Sequence, residues 1–148
     1  MNTFTRISVE KILNLFTAIL LSLVLAGCGS SDSTNEPAVS APASISGSTF
    51  KITVSSGSGG FASTGTADIV FSDTTNQYVL HGDTVNTADS AGTFSYSSSS
   101  NKGTIAVDDS AYGKGSWNLT FTSGTSGTFT ADMEQNPSAS QTGSFVDQ

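Results

Sequence analysis

Few side chains in this sequence could take part in chemistry, and His81 is the first to consider because it is the only histidine. It lies two residues before Asp83 in YVLHGD, on the polar phase of a predicted strand. A general base needs a nucleophile to activate and a partner that orients it, and the sequence specifies neither. One histidine is also too few for a usual zinc site. We predict that His81 is an exposed strand or turn residue.

Two polar stretches contain carboxylate and amide oxygens of the kind that calcium prefers. These residues are Asp83, Asn86 and Asp89 in one stretch and Asp108 and Asp109 in the other. Neither spacing matches the EF-hand loop, and Asp and Asn are common in turns without any metal. The sequence therefore predicts turns at both places and no metal site.

Asp132 and Glu134 share one face at the end of a predicted strand. Two carboxylates can act as the acid and base of glycoside hydrolysis. A pair two residues apart on one strand is more simply solvated charge, since adjacent positions on that face are exposed to water. Without a catalytic constellation, we predict a protein that is not an enzyme and has no cofactor.

Cys28 is the only cysteine, and it follows a long apolar segment. Residues 15–26, LFTAILLSLVLA, are interrupted only by Thr17 and Ser22. As a helix this segment would extend roughly 18 Å, well short of the ~30 Å hydrocarbon core of a bilayer. A basic start with Arg6 and Lys11, an apolar stretch of this length and small residues after it are typical of a secretory signal peptide. With a single cysteine, no internal disulfide can form.

The residues at the end of that segment are Leu25-Ala26-Gly27-Cys28. They resemble the lipobox of bacterial lipoproteins, in which a leucine and two small residues precede a cysteine. The resemblance implies that a lipid is attached to the Cys28 thiol, that the chain is cleaved between Gly27 and Cys28, and that the new amino group is acylated. It also implies an outer-membrane location, because Gly29 stands where an aspartate would favour the inner membrane. Residues 1–27 are thus predicted to be a lipoprotein signal peptide.

The chain from Cys28 onward is strongly acidic. Of five basic and twelve acidic residues, Arg6, Lys11 and Glu10 precede Cys28, which leaves three basic residues against eleven acidic ones. A net charge near −8 repels nucleic acid and anionic headgroups. We therefore expect no nucleic-acid partner and membrane attachment only through the acylated Cys28.

Residues 29–44, GSSDSTNEPAVSAPAS, have no aromatic residue and no hydrophobic periodicity. Such a composition buries too little apolar area to offset the entropy of ordering it. Residues 28–44 are predicted to be the lipidated N-terminus and a flexible tether, and residues 45–148 to form one folded domain.

Apolar residues in that domain alternate with Thr, Ser, Asn and Asp, which is the pattern of half-buried strands. The apolar sets are Phe50, Ile52 and Val54; Ala67, Ile69 and Phe71; Tyr78 and Leu80; Phe94 and Tyr96; Ile105 and Val107; Trp117, Leu119 and Phe121; Phe129, Ala131 and Met133; and Phe145. Turn-rich links separate them at 55–60, 72–76, 82–92, 97–103, 108–115, 123–127 and 134–143. The sequence predicts an all-β fold of about eight antiparallel strands in a meander.

Two architectures fit such a meander, a small up-and-down barrel and a β-sandwich. The barrel is favoured because closure removes exposed strand edges, which this polar chain does little to protect. An immunoglobulin-like sandwich needs longer crossover links than these and usually a Cys-Trp-Cys core. Gly-Thr or Gly-Ser recurs two residues before an inward side chain, where glycine permits either a positive φ or a tight bend.

The aromatic residues fall on the inward phase of the strands. They either fill a solid core, since an eight-stranded barrel is just wide enough for side chains to fill it, or line a cavity for one apolar ligand. The candidate cavity residues are Phe71, Tyr78, Phe94, Tyr96, Trp117, Phe121 and Phe129.

Several segments, among them GTADIVFSD and WNLTFTSGTSGTFTADM, resemble a Gly/Thr-rich β module that recurs in secreted bacterial proteins. The resemblance covers residues 46–146 as a single copy, and it implies secretion and an all-β fold but no particular activity. The sequence as a whole predicts a lipid-anchored cell-envelope protein that serves as a structural or interaction module or, alternatively, as a barrel that binds a small apolar ligand in an aromatic-lined cavity.

Overall fold

The computed structural model describes residues 38–85 and 88–148, which contain eight β-strands. The strands are β1 (Thr49–Gly57), β2 (Gly65–Phe71), β3 (Gln77–Gly82), β4 (Ser90–Ser99), β5 (Lys102–Asp109), β6 (Gly113–Phe121), β7 (Ser126–Met133) and β8 (Asn136–Asp147). Each pairs antiparallel with the next, and β8 pairs with β1, which closes a barrel in sequence order. The predicted all-β up-and-down barrel is confirmed, and the sandwich does not form.

Alternation along each strand separates the interior from the outer surface. In β1, Phe50, Ile52 and Val54 are buried, whereas Thr53 and Ser55 between and after them are exposed. This follows from the period of two in a pleated strand, which places successive side chains on opposite faces. Within the described part of the chain there is no helix both long enough and apolar enough to cross a bilayer.

The last strand begins earlier than the sequence predicts. Residues 134–143 are predicted to be a link, but β8 starts at Asn136, and Ala139 and Gln141 are buried on its inward face. The prediction is wrong because Ala139, Gln141 and Gly143 occupy inward positions without forming the apolar alternation that marks the other strands.

Hydroxyl and amide side chains form continuous rows around the outside of the barrel. Strand pairing connects one row through Ser97, Thr104, Asn118, Thr130, Thr142 and Ser56. Neighbours in the row form hydrogen bonds, with 2.9 Å between the Ser56 and Thr142 hydroxyls and 3.3 Å from Thr104 Oγ1 to Asn118 Oδ1. Cross-strand pairs of this kind stabilise a sheet on its solvent face.

The recurring glycines mostly serve close packing. A Cβ atom on Gly143 would lie 2.1 Å from the Thr53 carbonyl oxygen and 2.8 Å from the Phe129 ring. Gly127 is similarly covered, by the Thr120 carbonyl oxygen and the Phe145 ring. Neither has a positive φ, so the tight-bend explanation applies to them rather than the turn explanation.

One end of the barrel, here named the closed end, is covered by the segment that leads into β1. The Ala41 backbone N–H donates to the Ser100 carbonyl oxygen at 2.8 Å, and the Tyr96 hydroxyl donates to the Pro42 carbonyl oxygen at 3.0 Å. Ile45 is fully buried against the core. Ala41 and Pro42, which lie within the segment predicted to be a tether, are thus hydrogen-bonded to the barrel.

Five phenylalanine rings fill the interior next to the closed end, in a continuous series that we name the phenylalanine chain. The ring centroids of Phe94, Phe71, Phe50, Phe145 and Phe121 are successively 4.9, 5.3, 5.0 and 5.1 Å apart. Three of these contacts are edge-on and one is stacked, which are the arrangements that aromatic rings prefer. The opposite end, formed by the links β1–β2, β3–β4, β5–β6 and β7–β8, is named the open end.

Candidate ligand cavity at the open end

The barrel contains a cavity of about 80 Å³ toward its open end. Its wall is mainly aliphatic, formed by Ile52, Val54, Ile69, Leu80, Ile105 and Val107. Phe71, a member of the phenylalanine chain, also lines it, so the cavity begins where the packed rings end. Branched aliphatic side chains are shorter than phenylalanine, and this difference leaves space in a barrel of constant strand number.

Only some of the residues predicted for a cavity line it. Phe71, Tyr78 and Trp117 do, whereas Phe94, Tyr96, Phe121 and Phe129 lie elsewhere in the interior. Phe94 and Phe121 belong to the phenylalanine chain, Tyr96 lies at the closed end, and Phe129 stacks beneath Trp117 at 4.9 Å. The cavity wall thus combines aliphatic and aromatic residues and is not aromatic throughout.

A buried carboxylate, Asp109, stands in the cavity wall at the end of β5 with only 7% of its surface exposed. Its Oδ2 accepts from the Tyr78 hydroxyl at 2.5 Å and from the Ser90 hydroxyl at 2.9 Å. Its Oδ1 accepts from the backbone N–H groups of Ala111 and Tyr112 at 2.8 and 3.1 Å. These four hydrogen bonds connect β3, β4 and the β5–β6 turn, so Asp109 holds three parts of the open end together.

Strand register explains how Tyr78 reaches across to β5. Tyr78 pairs with Gly92 of β4, and Gly92 pairs with Asp109. Gly92 therefore lies between Tyr78 and Asp109, and because it has no side chain, the Tyr78 phenol can pass over it to reach the carboxylate. A Cβ atom there would also lie 2.3 Å from the Asp108 carbonyl oxygen, so close backbone approach requires glycine at this position.

The four hydrogen bonds also determine the charge of the cluster. Burial by itself would raise the pKa of Asp109, but the bonds from Tyr78, Ala111, Ser90 and Tyr112 outweigh burial, and the pKa of Asp109 is lowered. The pKa of Tyr78 is raised, first by burial and then by its hydrogen bond to Asp109 and the negative charges of Asp109 and Asp108. At neutral pH the cluster is therefore an ionised carboxylate beside a neutral phenol.

The remaining polar groups of the cavity wall are few. Gln141 is buried, and its Nε2 donates to the Ala62 carbonyl oxygen at 3.1 Å. Lys114 and Asp132 line the margin and are exposed, and the Ser116 hydroxyl donates to both Asp132 oxygens at 3.0 and 3.1 Å.

The other candidate residues lie outside the cavity. His81 is exposed on the outward face, and its Nδ1 is 2.9 Å from Asp89 Oδ2, so Asp89 and not Asp83 is its partner. The pKa of Asp89 is lowered, mainly by this bond and by the backbone N–H of Gly82. Asp83 Oδ2 instead accepts from the Thr66 hydroxyl at 2.8 Å and lies 3.6 Å from Lys51 Nζ.

The carboxylates considered as calcium ligands are not gathered into a cation site in the described residues. Among residues 38–85 and 88–148, no three His, Cys, Asp or Glu side chains group in a way that could hold a metal ion. Asp108 points outward while Asp109 points inward, and Glu134 is an exposed residue just beyond β7. Asn86 lies outside the described residues, as do Leu25, Ala26, Gly27 and Cys28 of the predicted lipidation site.

Sequence reasoning did not identify Asp109, Gln141 or the aliphatic wall as parts of a site. The alternation in β5 does indicate that Asp109 faces inward, since it is two residues beyond Val107 and four beyond Ile105 on the same face. Comparison of the chain with models of protein families, with curated proteins and with solved structures finds no match.

Proposed function

We propose that this protein is a lipid-anchored protein of the bacterial cell envelope whose barrel is a non-enzymatic interaction module. The observation that carries the proposal is the sequence Leu25-Ala26-Gly27-Cys28 directly after a short apolar segment. Gly29 after the cysteine favours the outer membrane. A chain processed in this way would begin with an acylated Cys28.

The physics of attachment supports an acyl anchor. A single acyl chain gives only reversible binding, whereas two or three, at about 0.8 kcal/mol per buried methylene, hold a protein on the membrane durably. The acidic chain could not bind anionic headgroups by charge. Ala41 and Pro42, which lead toward β1, contact the barrel at its closed end.

The arrangement of titratable groups supports a role without catalysis. Asp109 is the buried carboxylate of the cavity, and both of its oxygens already accept two hydrogen bonds from the protein. His81 lies on the outward face of β3, apart from the cavity in the interior. A general base must reach the proton that it removes, and these positions keep the histidine and the buried carboxylate on opposite faces of the wall.

The test is the intact mass of the protein extracted with detergent from bacteria that express the full chain. We expect loss of residues 1–27 and the added mass of lipid on Cys28, with incorporation of a labelled palmitate analogue. The matched variant Cys28→Ser should keep residues 1–27 and incorporate no label. Wild-type protein that retains Met1 or carries an unmodified thiol would overturn the proposal.

A second candidate function, binding of a small apolar ligand, is favoured by the aliphatic cavity at the open end. Native mass spectrometry of the mature chain, residues 28–148 with Cys28→Ser, tests it. All eight strands pair among themselves, so the barrel closes without residues 1–37. A retained small molecule supports this function, and a uniformly ligand-free mass contradicts it.

A further inference from the structure

The size of the cavity at the open end limits its occupant. A site for one water requires roughly 10–15 Å³, so about 80 Å³ corresponds to about five to eight such units. Pockets for drug-sized ligands measure about 300–1,000 Å³. The volume thus suits a molecule with about as many non-hydrogen atoms as a single six-membered ring, and it is too small for a long acyl chain.

The chemistry of the wall limits the occupant further. The two oxygens of Asp109 are engaged by four donors, and Gln141 donates its amide to Ala62. Polar groups already paired inside the protein gain nothing from a ligand that would compete for them. An occupant therefore gains its affinity from contact with apolar side chains such as Ile69 and Leu80.

The charges that line the cavity act against an anion. Asp109 is ionised and nearly enclosed, and its field is screened less than that of a surface group. Lys114 and Asp132 at the margin are both exposed and lie on the outward phase of their strands, so water screens both charges. Asp109 therefore sets the charge of the interior.

We propose that the open-end cavity binds one uncharged apolar molecule of about single-ring size and excludes carboxylates and other anions. The inference rests on the ligand-binding function proposed above and adds the ligand class to it. Trp117, the only tryptophan, lines the cavity and is a built-in fluorescent reporter of occupancy.

The experiment titrates benzene and, separately, benzoate into the mature chain with Cys28→Ser, followed by Trp117 emission and by amide chemical shifts. We expect saturable changes with benzene at Ile69 and Val85, and binding of benzoate that is weaker by about tenfold or more. In the unsubstituted cavity, nuclear Overhauser contacts between benzene and the Ile69 methyl groups place the ligand without any mutation.

Two matched variants locate the site. Ala67 is buried in the cavity wall, and Ala67→Leu should fill the space and weaken benzene binding by about tenfold or more. Ala106 is exposed on the outside of β5, and Ala106→Leu should leave binding unchanged.

The possible outcomes separate the two proposals. No saturable effect of benzene, or benzene contacts only outside the cavity, overturns the inference. Benzoate that binds as well as benzene overturns the exclusion of anions while ligand binding itself stands. A larger molecule retained in native mass spectra, with no benzene binding, overturns the size class and leaves the ligand-binding function in place.

Discussion

The closed and open ends of the barrel share one wall but differ in what occupies the interior. At the closed end, five phenylalanine rings touch in series and Ile45 covers them. At the open end, the inward positions carry aliphatic side chains and the buried, hydrogen-bonded carboxylate of Asp109. These side chains leave a cavity between them. Strand number and alternation are common to both, so the difference comes from the side chains at inward positions and from the segment that covers the closed end.

The comparison indicates a division of roles along the barrel. Dense packing stabilises the closed end through apolar burial, which is the dominant favourable contribution to folding. The open end is held by a few directional hydrogen bonds around Asp109 and retains space for another molecule.

Removing a phenylalanine ring from the closed end should lower the free energy of unfolding more than any other change considered. Phe145 is 1% exposed and contacts Phe50 and Phe121, so Phe145→Ala should lower the free energy of unfolding by about 3–5 kcal/mol. Phe61 at the open end is half-buried, and Phe61→Ala should cost only about 1 kcal/mol. Urea unfolding followed by circular dichroism measures both, and equal losses would contradict the division.

Removing the buried carboxylate should have the next largest effect. Asp109→Ala leaves the Tyr78 hydroxyl and two backbone N–H groups without their acceptor, and the loss should be about 1.5–3 kcal/mol. Asp108→Ala is the matched control because Asp108 is the exposed neighbour, and its effect should lie within about 0.5 kcal/mol. Urea midpoints that shift equally in the two variants would show that Asp109 does not hold the open end.

The same cluster gives the stability of the protein a pH dependence at both extremes. Because the pKa of Asp109 is lowered in the folded state, its contribution is complete above the unfolded value of about 3.9 and is lost as pH falls through the folded pKa. Because the pKa of Tyr78 is raised, its contribution is complete below about 10 and declines as pH rises further. In Asp109→Ala, the urea midpoint should fall less steeply with decreasing pH than in the wild type. In Tyr78→Phe, it should fall less steeply with increasing pH above about 10. A pH dependence of the urea midpoint that is unchanged from the wild type would contradict these assignments.

Adding the same side chain to the two kinds of interior should give opposite results. Ala131 is buried at a site that does not line the cavity, and Ala131→Leu should destabilise by about 1–3 kcal/mol through overpacking. Ala67 lines the cavity, and Ala67→Leu should leave stability unchanged or raise it by up to about 1 kcal/mol. Thermal unfolding of the pair measures the difference. A Tm for Ala67→Leu as low as that for Ala131→Leu would mean that the cavity cannot accept the added atoms.

The smallest effect should come from the contact of the entering segment. Tyr96→Phe removes the hydrogen bond to the Pro42 carbonyl oxygen and should cost about 0.5–1 kcal/mol. Hydrogen exchange gives a sharper reading, since the Ala41 N–H should exchange faster while the Tyr112 N–H at the open end stays protected. Faster exchange at both amides would mean that the two ends are not independent.

The sequence predicts which side chains face inward far better than it predicts their position along the barrel axis. Alternation is local, and Phe50, Ile52 and Val54 reveal their face within five residues. The position of a side chain along the axis depends on the register between strands, which only closure of the barrel establishes. Tyr78 is the second residue of β3, yet register brings it to Asp109, which ends β5. This explains why the predicted cavity residues are inward but are divided between two regions.

Two other features have similarly non-local causes. Asp109 is predicted as a turn residue, and it does accept from the turn N–H groups of Ala111 and Tyr112, but its burial depends on Tyr78 and Ser90 from other strands. The early start of β8 depends on pairing with β7, since Ala139 and Gln141 alone do not form a strand pattern. The lipid anchor remains a prediction from sequence.

The pairing of the first and last strands has a consequence for engineering. The Gln148 N–H donates to the Thr49 carbonyl oxygen at 3.0 Å, and the Ser48 hydroxyl donates to Asp147 Oδ2 at 2.9 Å, so the two termini of the barrel lie side by side. A short linker could join them, and exposed loops are the places where circular permutation succeeds. Opening the chain between β7 and β8 would place the new first and last residues of the barrel at the open end, beside the cavity.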